Sequence, residues 1–174
     1  MRFIFKVLVL GIIYLFATFS HSQINFKQLR ENMIKEQLLA RDINDPATLN
    51  AMRNVPRHEF VPAKMQPYAY TDNPLSIGMG QTISQPYIVA YMTQILKLKK
   101  HHRVLEVGTG SGYQAAILGQ IVDSVYTIEI VEALAITAKN RLSALGYDNI
   151  HVKSGDGYLG WPEKGPFDAI IVTA

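Results

Sequence analysis

Apolar residues recur at Phe26, Leu29, Met33, Ile34 and Leu38, the one-faced spacing of an amphipathic helix over Phe26–Ala40. Asp45-Pro46 then reads as a new helix start, with Asp45 as N-cap and Pro46 in the first turn. Leu49, Met52 and Val55 face inward from that short helix, and Pro56 stops it. Arg57–Pro62 reads as an extended segment between prolines, with Phe60 and Val61 buried, and Met65–Asn73 as an aromatic loop. Pro86 opens a further helix whose apolar face is Ile88, Val89, Met92, Ile95 and Leu96. Beyond His102 the pattern changes. Short β-type runs at Arg103–Val107, Ser124–Ile128, Asn149–Lys153 and Phe167–Thr173 are interleaved with helical segments at Tyr113–Val122 and Glu132–Leu145, the latter stopped by Gly146. This alternation predicts parallel strands joined by right-handed crossovers. The expected fold is therefore α/β: a Rossmann-like, doubly wound, mostly parallel sheet behind an N-terminal helical extension. The run at Phe167–Thr173 is of the central-strand type and the chain stops directly after it, which would leave an apolar edge. Further C-terminal strands are expected to be missing, the chain being a fragment or a truncated reading frame.

The N-terminus has a different pattern. Arg2 and Lys6 precede a 13-residue apolar run, Val7–Phe19, and Ser20 and Ser22 supply small residues after it. This predicts a secretory signal peptide over residues 1–22, cleaved after Ser22, and a domain over residues 23–174. An uncleaved anchor is the alternative, although a membrane span needs about 20 apolar residues. The expected location is periplasmic or secreted, with no stable membrane association after cleavage. Removing Arg2 and Lys6 lowers the formal charge from +3 to +1, so no electrostatic footprint for nucleic acid remains. The absence of cysteine excludes disulfides, thiolate zinc sites, a cysteine nucleophile and a lipoprotein anchor. The five histidines form no metal-ligand spacing, and no metal is expected. A composition of 48% hydrophobic and 18% charged residues suits one globular domain.

Candidate chemistry is densest at Val104–Tyr113, where a β-type run meets Gly108, Gly110 and Gly112. Glycines permit a sharp strand-to-helix turn and close approach of a ligand to the main chain. A dinucleotide fingerprint would need a third glycine at position 113, which is Tyr113, and no Gly-Lys-Ser/Thr follows to grip phosphate. Glu106, just before the first glycine, repels phosphate but can accept from an ammonium or hydroxyl. The turn, including Thr109 and Ser111, therefore suits a nucleoside with a cationic tail, S-adenosylmethionine (AdoMet). A glycine-rich turn that binds nothing is the alternative. Glu129 ends the second β-type run about 20 residues on, where such folds grip ribose hydroxyls. Asp156-Gly157 follows the third run, and the Asp156 carboxylate could accept from an exocyclic amine such as adenine's, or could serve a turn alone. Upstream, Gly78–Tyr87 carries the short polar residues Thr82, Ser84 and Gln85. Ser84 is either a helix cap or an active-site donor. His58, beside Arg57 and Glu59, reads more simply as structural.

Val104–Tyr113, Gly78–Tyr87, Val55–Pro62, Gly155–Gly157 and Phe167–Ala174 together resemble protein-L-isoaspartate O-methyltransferase, a class I AdoMet-dependent methyltransferase family. Gln-Thr-Ile-Ser-Gln-Pro and Val-Pro-Arg-His-Glu-Phe-Val-Pro are the most specific stretches, and the resemblance spans about residues 25–174. It implies methylation of the free carboxylate of isoaspartyl and D-aspartyl residues in damaged proteins, followed by collapse to a succinimide. It places the family's active-site serine on Ser84 and sets Thr82 and Ile83 beside the cofactor. Glu106, Gly108, Thr109, Gly110, Ser111, Gly112, Glu129, Asp156 and Gly157 complete the implied cofactor site. The implied partners are isoaspartyl-bearing proteins or peptides, and a monomer is the expected state. Family members continue past the fourth strand and are usually cytosolic. The 174-residue chain alone is thus expected to be unstable or inactive. An exported AdoMet-binding homologue without turnover, and a methyltransferase for another carboxylate, remain as alternatives.

Overall fold

The computed structural model describes residues 24–174, and the expected leader at residues 1–22 lies outside the described residues. Helix α1, Phe26–Met33, starts on Asn25, whose side chain accepts from the Gln28 amide. In place of one helix to Ala40, the backbone widens into a π-type turn at Ile34–Leu38 and tightens into a 3₁₀ turn at Leu39–Arg41. The change of pitch brings Met33, Ile34, Leu38 and Ile43 all into the core. Asp42 ends the run in the left-handed region, with φ 63°. Helix α2, Pro46–Asn54, is capped as its sequence implies, with Asp45 accepting from the Thr48 amide at 2.8 Å.

The segment expected to be extended, Arg57–Phe60, is a 3₁₀ turn, as is the first part of the expected aromatic loop, within Ala63–Tyr68. Arg57 and Phe60, three residues apart and so on one side of the turn, are both buried. Next comes a hairpin that the hydrophobic pattern did not predict. β1, Leu75–Gly78, pairs antiparallel with β2, Gln81–Ile83, through Gly78, Met79 and Gly80, all at positive φ. Glycine between two short Leu/Ile-containing runs was the available signal.

Helix α3, Pro86–Ile95, leads to the sheet: β3 Arg103–Val107, α4 Tyr113–Gly119, β4 Ser124–Glu129, α5 Glu132–Ala144, β5 Ile150–Ser154 and β6 Ala169–Val172. The strand order is β5-β4-β3-β6, with every pairing parallel, as the alternation of elements requires. Val104, Val125 and Ile171 meet α4 through Ala115 and Leu118, with Met92 of α3 and Leu96 just past its end alongside. Leu142 of α5 packs near Ile150 and Val152 on that same face. The other face is covered at Leu105, Tyr126 and Ile128 by Trp161 and Phe167 from the loop before β6. Among the described residues, no helix is long and apolar enough to cross a membrane. The chain winds from β3 outward to β5, then returns to the far side of β3. That reversal opens a crevice beyond the carboxyl ends of β3 and β6, where ligands bind in such sheets.

Candidate active site

A cleft of about 300 Å³ occupies that crevice. One wall is the glycine turn. Gly108, Gly110 and Gly112 have φ of 98°, 52° and 87°, a region that side-chain-bearing residues rarely adopt. A Cβ on Gly108 would lie 2.7 Å from the Ala174 nitrogen, so the close approach there requires glycine. The turn is tied from several sides. The Ile128 carbonyl accepts from Gly108 N–H at 2.8 Å, the Thr173 hydroxyl donates to the Gly108 carbonyl at 2.8 Å, and Arg141 of α5 donates to the Ser111 carbonyl at 2.8 Å.

Glu129 is buried at the end of β4. One carboxylate oxygen accepts from Gly110 N–H at 2.7 Å and the other from Val131 N–H at 2.9 Å. Each oxygen keeps a lone pair, so the group is oriented and can still accept. Asp156 is exposed at the cleft edge; its Oδ1 accepts from Tyr158 N–H at 2.9 Å. It thus shapes a turn and lines the cleft as well. Gly157 lies so close to Val107 that a Cβ there would fall 2.3 Å from a valine methyl.

Glu106 and Gly112 stand behind the cleft wall. Gly112 begins α4 and lies against Leu142, whose Cδ1 would be 3.2 Å from an added Cβ. Glu106 is fully buried on the helix-covered face, where the Thr127 hydroxyl donates to it at 2.5 Å and Thr109 meets Thr127 at 2.6 Å. Burial pushes the Glu106 carboxyl up to about 8; the Thr127 hydrogen bond opposes this and the nearby Glu129 charge adds to it. This environment favours the protonated acid beneath the turn at neutral pH. The anionic acceptor expected from its place before Gly108 is not what this environment favours.

The opposite wall comes from β2 and α3. Thr82, Ile83 and Ser84 line it, followed by Ile88, Val89 and Met92. The cap of α3 is Gln85, without any side-chain capping bond, so the Ser84 hydroxyl is not spent on capping. Ser84 thus shares one cleft with Gly108, Thr109, Gly110, Ser111, Glu129, Asp156 and Gly157. Periodicity marks the apolar face of α3 but not that part of it lines a cleft, and the lining roles of Tyr158 and Thr173 carry no local signal. Arg57 carries no such signal either: it is fully buried, and it donates to the Ser84 carbonyl at 2.7 Å.

The family described as protein-L-isoaspartate(D-aspartate) O-methyltransferase (PCMT) matches residues 27–174. A protein-L-isoaspartate O-methyltransferase of Opitutus terrae is 64% identical over 145 residues, which are 83% of this chain and 62% of that protein. One from Picosynechococcus sp. is 60% identical over 146 residues, 84% of this chain and 66% of its own length. The chain thus spans just under two thirds of the length of these curated relatives. Among solved structures, a protein-L-isoaspartate O-methyltransferase superposes with a TM-score of 0.74 at 30% identity, covering 86% of this chain and 48% of the other. A putative one from Plasmodium falciparum, in complex with S-adenosyl-L-homocysteine, gives 0.69 at 28% identity over 87% and 74%.

Proposed function

The chain belongs to the protein-L-isoaspartate(D-aspartate) O-methyltransferase family, and from that premise we propose that it methylates the free carboxylate of L-isoaspartyl and D-aspartyl residues in damaged proteins, starting their return to aspartate through a succinimide. The observation that carries this reading is the shared cleft, with an uncommitted Ser84 opposite the glycine turn.

AdoMet fits this cleft on the chemistry of its walls. Gly108 and Gly110 expose main chain where a side chain would intrude, and Glu129 and Asp156 both retain acceptor capacity. Glu129 would hold the ribose hydroxyls, Asp156 the adenine amine, and Thr82 and Ile83 would border the cofactor. The S-adenosyl-L-homocysteine in complex with the Plasmodium falciparum relative supports AdoMet as the cofactor. Bound AdoMet supplies an electrophilic methyl group on a sulfonium. The chain's own task is positioning. A substrate carboxylate is already ionised at neutral pH, so no general base is needed. The Ser84 hydroxyl donates a hydrogen bond to one carboxylate oxygen, leaving the other aimed for attack. Ile88, Val89 and Met92 provide an apolar wall that excludes water.

The test is labelled AdoMet with the purified full-length protein and matched isoaspartyl and aspartyl peptides. Label is expected on the isoaspartyl peptide alone. Cofactor binding without transfer would point to a non-catalytic exported homologue, and transfer only to other acids to a different methyltransferase; either overturns the reading. Ser84→Ala is expected to lower kcat about 10- to 100-fold, the scale for losing one orienting contact, with AdoMet affinity unchanged. We also propose that residues 1–22 are a cleaved export signal and that the mature monomer works outside the cytoplasm. Arg2, Lys6, the apolar run Val7–Phe19 and Ser22 support this. A mature N-terminus at Gln23 by mass measurement, in a periplasmic or secreted fraction, is the expected result.

A further inference from the structure

Ser84 lies where regular structure gives its backbone no hold. β2 ends at Ile83 and α3 begins at Pro86, which has no N–H to donate. Its carbonyl is held by Arg57, which donates from one terminal nitrogen at 2.7 Å. The same guanidinium donates from Nε to the Ala69 carbonyl at 2.7 Å, and its carbon sits 4.8 Å over the ring of Tyr113. Arg57 therefore joins three places: the segment before the hairpin, the serine, and the first residue of α4 after the glycine turn.

The side chain is fully buried, and among the described residues no carboxylate pairs with it. Its remaining terminal nitrogen also has no partner there. A buried guanidinium with no carboxylate in direct contact is a costly way to fill space, since an apolar residue of similar volume would do so without losing hydration. What only arginine supplies is a rigid planar fork that reaches two carbonyls and stacks on an aromatic face at once. Holding the Ser84 carbonyl fixes the peptide plane after the serine, and so the direction of its Cα–Cβ bond.

We propose that Arg57 is a positioning residue for Ser84: it aims the serine into the cleft and keeps that serine at a set distance from the cofactor turn. This rests on the reading of Ser84 as the group that orients the substrate carboxylate. Arg57 touches neither substrate nor cofactor. Its effect passes through the Ser84 carbonyl on one side and Tyr113 on the other.

The experiment compares Arg57→Lys, Ser84→Ala and the double variant in the full-length protein, with Arg57→Gln in reserve should the lysine variant not fold. Lysine keeps the charge but offers no fork. Three quantities are measured: kcat on an isoaspartyl peptide, AdoMet affinity by calorimetry, and native-state amide exchange over residues 82–88. Arg57→Lys is expected to lower kcat about 10- to 100-fold, as a misplacement near 1 Å does, with AdoMet affinity within about twofold. The double variant is expected to be no slower than Ser84→Ala alone, because the two residues act as one unit. Exchange over residues 82–88 is expected to quicken while that of β3 and β4 holds. Additive losses, or parallel losses of kcat and AdoMet affinity, overturn the proposal and leave Arg57 a packing residue. If the wild type binds AdoMet but methylates no isoaspartyl peptide, the functional reading fails separately. The exchange pattern then decides alone, and unchanged protection over residues 82–88 overturns the positioning role.

Discussion

The glycine turn at residues 108–112 and the serine segment at residues 82–86 line the same cleft, yet they are held in different ways. The turn sits at the end of a central parallel strand. Its N–H groups and carbonyls bond to β4, to the Thr173 hydroxyl, to Arg141 and to Glu129. The serine segment follows a three-residue edge strand, and a single buried guanidinium holds the Ser84 carbonyl. A wall tied by many local bonds tolerates the loss of one of them. In the other wall the Ser84 carbonyl rests on one long-range contact, so the direction of the serine turns on Arg57. Cofactor grip and substrate orientation are accordingly expected to respond to different substitutions, although only one cleft is involved.

The largest expected effect is at the turn itself. Gly108→Val sets a branched side chain at φ 98° and drives its Cβ toward the Ala174 backbone. AdoMet affinity should fall more than about 100-fold, together with the melting temperature, because strain and clash coincide. Near-normal calorimetric binding would show that the turn is less constrained than its geometry implies. Next is Glu129→Ala, which removes the acceptor of Gly110 N–H and the proposed ribose contact. Hydrogen bonds to charged groups are worth about 1.5–3 kcal/mol, so a loss of about 10- to 100-fold in AdoMet affinity is expected, with a far smaller change in kcat at saturating AdoMet. Ser84→Ala should give the reverse split. If both variants shift affinity and turnover alike, the division between the two walls does not hold.

The smallest effect concerns Glu106, which lies behind both. Its folded carboxyl titrates near 8, whereas the unfolded group titrates near 4.5. Between those values the folded chain holds the extra proton, so stability declines as pH rises through that window. Glu106→Gln removes the ionisation. Its melting temperature should match wild type near pH 4 and exceed it by several degrees or more at pH 9, the gap opening as pH rises from about 4.5 to 8. Parallel melting curves for the two proteins across pH would sink this assignment. AdoMet affinity at pH 7 should barely change.

Much of this molecule follows from local rules. The alternation of β-type runs with helical segments dictates a parallel sheet, because a crossover helix must return each strand in the same direction. Gly108, Gly110 and Gly112 announce a turn, because three closely spaced positive-φ positions suit glycine far better than residues with side chains. Glu129 at the end of β4 and Asp156 two residues past β5 follow from it, since both lie on the carboxyl side of the sheet. Asp45 and Pro46 mark their helix start for an equally local reason. Other features were settled only by long-range packing. Glu106 looked like a ligand-facing anion until burial beside Thr127 and Glu129 made it a neutral acid. Ser84 could have been a cap, and the choice depended on where α3 begins against the folded core. Arg57 reads as one polar residue among several in Arg57–Glu59, and its reach to Ala69, Ser84 and Tyr113 exists only once three distant segments meet. Backbone geometry and periodicity act over a few residues and are written in order along the chain. Desolvation and long-range hydrogen bonds depend on which groups the fold brings together, and that only the tertiary structure decided.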